Sequence, residues 1–141
     1  MQIVCLLLAT VIGVGLMSAE AVKYVSDDII RTYEEAVNNC TELRGVLPTG
    51  RDRGEIEELR KWANPNRTSF WLNGKEDADG EYRWQDGRKD RIDDTLWYEG
   101  HVPWCHKCCR VTLHFNDDIN DGKLFATDCG NKAGFICVIR N

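Results

Sequence analysis

Beyond Met17 the 141-residue sequence has no apolar run long enough to cross a bilayer, so no internal helical membrane span is expected. It also lacks a basic stripe. The formal net charge is −5, with acidic and basic residues interspersed, which makes nucleic acid a poor partner and anionic membrane surfaces little better. Serine is scarce: beyond residue 21 only Ser26 and Ser69 remain, and neither sits in a nucleophile-elbow context. The many carboxylates are explained first as surface charge, so no catalytic residue is assigned and no enzyme is expected. The sequence has no internal repeat, low-complexity tract or interdomain linker. One domain is expected.

What is present begins with a leader. Residues Ile3 to Met17 carry no charge, are too short to span a bilayer comfortably, and are followed by small residues at Ser18, Ala19 and Ala21. Ala19-Glu20-Ala21 fits the small-x-small cleavage rule. Residues 1–21 therefore read as a signal peptide, with cleavage after Ala19 or an uncleaved anchor as the alternatives, and residues 22–141 as the secreted, extracellular domain. Of the seven cysteines, Cys5 leaves with the leader. Cys40, Cys105, Cys108, Cys109, Cys129 and Cys137 remain. An even number in a small exported domain implies a disulfide framework, with 15 connectivities open. Export makes Asn66-Arg67-Thr68 a glycosylation sequon, with Asn66 the acceptor; Asn39-Cys40-Thr41 is disfavoured by a paired Cys40 on a helix. Five tryptophans argue for a packed domain.

The first third reads as helical. Thr32-Tyr33-Glu34-Glu35 is a capping box, behind which Ala36, Val37, Cys40 and Leu43 share a face and Gly45 marks the stop. Asp52-Arg53-Gly54-Glu55 opens a second helix with Ile56, Leu59, Trp62 and Ala63 inward, ended by Pro65. From Phe70 the period changes to that of strands: Phe70-Trp71-Leu72, then Tyr82 and Trp84, then Cys109, Val111 and Leu113, and finally Phe135 to Ile139. Turns are expected at Asp77–Gly80 and Asp86-Gly87, and loop structure from Arg88 to Lys107 and from Asn116 to Gly122. The class is α+β: two helices packed on short antiparallel sheets, with a long loop region. A cysteine on the last strand is placed to tie the chain's end to the first helix.

An ordered set of residues then resembles a known family. Cys40, Gly45-Val46-Leu47-Pro48, Glu55, Phe70-Trp71-Leu72, Tyr82-Arg83-Trp84-Gln85-Asp86-Gly87, Leu96-Trp97-Tyr98-Glu99-Gly100, Cys129 and Phe135-Ile136-Cys137 are together similar to a short-form C-type lectin-like domain, over roughly residues 24 to 140. The resemblance implies a Cys40–Cys137 disulfide and a second from Cys129 to Cys108 or Cys109. The pairing expected here is Cys109–Cys129, because Cys109 is in phase with Val111 and Leu113. Cys105–Cys108 would then be a local clip, and the Cys108–Cys129 alternative stays open. An intermolecular bond through Cys105 would instead make a covalent homodimer.

Sugar-binding members of that family hold calcium between a Glu-Pro-Asn or Gln-Pro-Asp motif in the long loop and a Trp-Asn-Asp motif before the cysteine corresponding to Cys129. Ca²⁺ requires six to eight hard oxygens. In the corresponding places this sequence has His101-Val102-Pro103 and Leu124-Phe125-Ala126, so both motifs are missing and no metal ligand is assigned. A displaced calcium site built from Glu99, Asn116, Asp117, Asp118, Asn120 and Asp121 is weighed against a solvated acidic loop, and the loop is favoured. Cys105-His106-Lys107-Cys108-Cys109 reads as disulfide chemistry before zinc, since oxidised cysteines supply no thiolate. Members of the family recognise glycans in innate immunity, and others recognise proteins without calcium. The expectation is an extracellular glycan or protein ligand bound by the long-loop face between about Asp93 and Asp128. Glu99, His101, Trp104, Asn116 and Asp117 are the candidate contacts. A calcium lectin with a displaced site and a matrix- or mineral-associated structural protein are the rival readings. Trp62, Trp71 and Trp84 are assigned to the core; Trp97 and Trp104 flank the loop, and Trp104 is the better surface aromatic.

Overall fold

The computed structural model describes residues 21–140, so the expected leader lies outside the described residues apart from Ala21. Strand β1 (Val22–Ser26) leads into helix α1 (Tyr33–Glu42) and helix α2 (Arg53–Arg60). Strands β2 (Ser69–Glu76) and β3 (Tyr82–Trp84) follow, then a long loop containing one 3₁₀ turn at Asp94–Leu96. Strands β4 (Cys109–His114), β5 (Leu124–Asp128) and β6 (Gly134–Arg140) complete the chain. The six strands run in the order β1-β6-β2-β4-β5, with β3 paired to β2. Every pairing is antiparallel except β2 with β6, which is parallel, so the sheet is mixed.

The local chemistry explains the helices. The Thr32 hydroxyl accepts from the Glu35 amide, and the Glu35 carboxylate accepts from the Thr32 amide, closing the capping box. At the other end of α1 the left-handed residue is Arg44 (φ 61°), not Gly45. The Gly45 amide donates to the Cys40 carbonyl and that of Arg44 to Thr41, satisfying the last carbonyls of the helix. Gly45 is needed for a different reason: a Cβ there would lie 2.7 Å from the Val138 carbonyl oxygen. Helix α2 starts at its Asp52 cap as expected but stops at Arg60, well short of Pro65. Trp62 therefore leaves the inward face. It is exposed and stacks on Tyr24, with ring centroids 5.3 Å apart. Its assignment to the core is corrected on that ground.

Alternation along two central strands divides the interior. Phe70 and Leu72 on β2, with Ile136 on β6, pack under Ile56 and Leu59 of α2 together with Tyr82, Trp84 and Trp97. Trp71, Phe135 and Cys137 point to the opposite face and pack under Ala36 and Cys40 of α1. The two helices thus cover opposite sides of the same strands, which is why Phe70-Trp71-Leu72 is buried without interruption.

The six described cysteines form three disulfides: Cys40–Cys137, Cys105–Cys109 and Cys108–Cys129. The expected Cys109–Cys129 and Cys105–Cys108 pairs are corrected by the β4–β5 register. Cys109 stands opposite Asp128, and one step further Cys108 stands opposite Cys129, whose amide donates to the Cys108 carbonyl at 2.8 Å. Directly opposed residues project to the same face of a ladder, so Cys129 meets Cys108 while Cys109 points to the other side. The phase of Cys109 with Val111 and Leu113 does hold: all three are buried in one cluster. That phase selects the core for Cys109, and Cys105 reaches it there.

Candidate functional site

The long loop is anchored at its start by two buried side chains, Leu96 and Trp97. Asp93 caps the 3₁₀ turn by accepting from the Thr95 amide and hydroxyl. Trp97 then bridges to Leu124, and the Tyr98 amide donates to the Leu124 carbonyl at 3.0 Å. Trp97 is thus core, and the chain turns outward immediately after it. The turn is closed by Gly100 (φ 74°), whose amide donates to the Trp97 carbonyl at 2.9 Å.

Past Gly100 the loop carries the expected contacts into solvent. His101 Nε2 lies 3.1 Å from Glu99, and both side chains are exposed. Trp104 is 84% exposed, and its only ring neighbour among the described residues is His106, with centroids 5.8 Å apart. Exposure of this extent is unusual for the largest apolar side chain. Trp104 is nevertheless held by a short tether, because Cys105 is bonded to Cys109 at the start of β4.

Asn116 and Asp117 are brought together in the second loop but are occupied by its own hydrogen bonds. Asn116 (φ 59°) donates through Nδ2 to the carbonyls of Arg67 and Asn64, and its amide donates to Asp121. Asp117 accepts from the Asn120 side chain and from the Ile119 and Asn120 amides, and these bonds hold its carboxyl below the usual range. Asp121 is paired with Arg60 at 2.8 Å. Among the described residues no group of three or more His, Cys, Asp or Glu side chains is placed to hold a metal ion.

The place where a calcium motif would precede Cys129 is built from apolar groups. Leu124 is fully buried. Phe125 is sandwiched between Tyr98 (4.2 Å, 7° between planes) and His114 (3.9 Å, 26°). Burial holds the His114 imidazole below its ordinary pKa, so it meets Phe125 as a neutral ring at neutral pH. Apart from the single Tyr98 hydroxyl these side chains offer no oxygen, and this set does not fit Ca²⁺ with its six to eight hard oxygens.

Sequence reasoning misses two surface members of this region. Tyr98 is visible in the sequence only as part of a motif, yet 40% of it is exposed beside Phe125; Ile119, at the tip of the second loop, is 87% exposed. The available signal for Ile119 is a lone aliphatic residue inside the polar run Asn116 to Gly122.

A mixed sheet covered by two helices, with a disulfide from the first helix to the last strand and a long loop before β4, defines a domain of the C-type lectin-like fold. The Lectin C-type domain profile matches residues 29–139, and the chain belongs to that family. No curated protein sequence matches the chain. Among solved structures it is similar to the C-type lectin domain of murine dendritic cell inhibitory receptor 2 in complex with N-glycan. The TM-score there is 0.69 at 14% identity, over 86% of this chain and 92% of that one. It is also similar to SPL-1 in complex with GlcNAc (TM-score 0.67, 23% identity, covering 83% and 86%). TC14, a C-type lectin from the tunicate Polyandrocarpa misakiensis, matches with a TM-score of 0.62 at 18% identity over 84% and 97%. At these identities the likeness carries the fold.

Proposed function

We propose that this chain is a secreted, non-enzymatic recognition protein that binds an extracellular glycan or protein through its long-loop face, without the calcium-dependent sugar site of its family. The observation that carries the reading is Trp104: a large apolar ring almost wholly in water, on a loop pinned by Cys105–Cys109. A rigid, exposed Trp is the residue type that anchors interfaces at low entropic cost. The Tyr98–Phe125–His114 stack supports the calcium-independent form, because it fills one motif position with rings. The internal bonds of Asn116, Asp117 and Asp121 weigh against a displaced calcium site.

Secretion is supported by the apolar leader and by three disulfides, which persist in oxidising compartments. Strand β1 begins at Val22, so cleavage after Ala21 leaves every described element intact. The test is a binding screen on glycan and extracellular-protein arrays, run in calcium and in EDTA. The reading expects a signal that persists in EDTA and is lost in Trp104→Ala. A signal abolished by EDTA, or one indifferent to Trp104, rejects it.

A further inference from the structure

A cleft of about 370 Å³, apart from the long-loop face, lies between α2, β1 and the segment that follows α1. None of its lining residues belongs to the long-loop region, so a ligand held there needs nothing from Trp104. We propose that this cleft is a second ligand site, built for a neutral, polyhydroxylated ligand of the saccharide type.

The volume falls in the range of small-molecule sites, ~300–1,000 Å³. Its apolar part is a floor of buried Leu47 and Leu59 with the Tyr24 ring at the side, stiffened by the stack on Trp62. Its polar part is a set of planar groups with unused bonding capacity. Asn73 lines the cleft, and its side chain makes no hydrogen bond among the described residues. Arg51 is clamped by Asp86 and Asp90 through Nε and Nη2, which leaves Nη1 without a partner among the described residues. Glu55 accepts from Thr49 at 2.6 Å through Oε1, and its second oxygen remains available.

The mixture selects the ligand class. Arg51 is already neutralised by two aspartates, and Glu55 and Glu58 outnumber Arg140, the other cation of the lining, so the cleft stays net acidic and disfavours a phosphate or sulfate. An amide, an N–H and a carboxylate oxygen together ask for groups that both donate and accept, as hydroxyls do. Leu47, Leu59 and Tyr24 offer an apolar surface to the C–H face of a sugar ring. The two-carboxylate clamp fixes Arg51 before any ligand arrives, which reduces the entropy lost on binding.

The experiment is a ¹H–¹⁵N NMR titration of the protein in EDTA with lactose, maltose and chitobiose in turn, with inorganic phosphate and the peptide Gly-Ala-Gly as comparators. The expected result is a saturable shift of the Asn73 side-chain amide and the Arg51 Nε–H signals with at least one disaccharide. Replacing the amide by its apolar isostere, Asn73→Leu, should weaken that binding by about tenfold, the equivalent of one good polar contact. Trp104→Ala should leave it unchanged, which separates this site from the long-loop face. If a thermal melt shows Asn73→Leu to be unfolded, Glu55→Gln keeps the shape of the cleft and takes its place. The proposal is overturned if none of the three disaccharides moves those signals, or if phosphate or the peptide moves them and sugars do not. It also fails if Glu55→Gln and a folded Asn73→Leu both bind as the parent does.

Discussion

The rings of Tyr98 and Phe125 lie face to face, 4.2 Å apart and 7° from parallel. Tyr98 comes from the start of the long loop and Phe125 from β5, so the contact packs rings at the sequence position where the family resemblance would put one calcium motif. Thermal unfolding is therefore expected to be the same in calcium and in EDTA. A bound ion at a hundred times its Kd would add about 2.7 kcal/mol and raise Tm by several degrees, so the measurement is decisive.

Trp104→Ala should separate stability from binding. A side chain 84% exposed makes few contacts to lose, so the change in unfolding free energy should stay within about 0.5 kcal/mol. Ligand affinity should fall by about 30-fold or more, the scale of a hot-spot aromatic at about 2 kcal/mol. A variant that melts early while binding normally would reverse the assignment.

The same loop links the disulfides to function. Mapping under non-reducing, acidic conditions should recover Cys105–Cys109 and Cys108–Cys129 as linked peptides, and no chain-to-chain bond. Removing both Cys105 and Cys109 opens a ring with a sequence separation of only 4, worth about 2 kcal/mol by chain entropy. Removing Cys40 and Cys137 releases a separation of 97, worth about 4.7 kcal/mol. The first double variant should fold and bind weakly, because Trp104 loses its tether. The second should lose most of its stability.

Those cysteines also show what is legible in the sequence. Spacing and resemblance locate Cys40–Cys137, because one strand and one helix have to meet. The choice between Cys108 and Cys109 depends on the register of β4 against β5, and β5 carries no clear strand signal of its own. In the sequence Leu124-Phe125-Ala126 stands out only as a place where calcium ligands are missing. Strand β1 escapes notice for a related reason: Val22 to Ser26 is exposed or half-buried throughout and shows no clean two-residue alternation. Trp62 is misplaced when helical periodicity is carried on toward Pro65, because α2 ends at Arg60. Local signals with side-chain partners close in sequence, such as the Thr32–Glu35 box, are readable in full. The aromatic sandwich is not, since Tyr98, His114 and Phe125 meet only once three separate segments have packed.

Glycosylation offers a test of export. Asn66 lies on an exposed turn, and its side chain makes no hydrogen bond among the described residues, whereas Cys40 in the other sequon is fully buried and disulfide-bonded. Expression through a eukaryotic secretory pathway should give one species that shifts on endoglycosidase treatment. Asn66→Gln should remove the shift completely. A residual shift in that variant would place a glycan on Asn39 and contradict the helix-buried reading of that sequon.

Acid stability should turn on Arg51. Its guanidinium bonds Asp90 at 2.7 and 2.8 Å, and these hydrogen bonds are the main reason the Asp90 carboxyl is held down at about 2. A carboxyl whose folded pKa lies below its unfolded value binds fewer protons folded than unfolded. Its contribution is therefore complete above the unfolded value, about 3.9, and is lost as pH falls toward the folded value. Asp90 is about one-third exposed, so solvent screening limits the size of the effect, and the window is the firmer expectation. Unfolding midpoints in urea should fall between pH 4 and pH 2 in the parent. In Asp90→Asn they should start lower at pH 7 and fall less steeply over that interval. Arg51→Met should cost more at neutral pH than Asp90→Asn, because it strands Asp86 and Asp90 together. Equal acid slopes in all three proteins would show that the clamp contributes nothing to folding, and would remove the preorganisation on which the adjoining cleft relies.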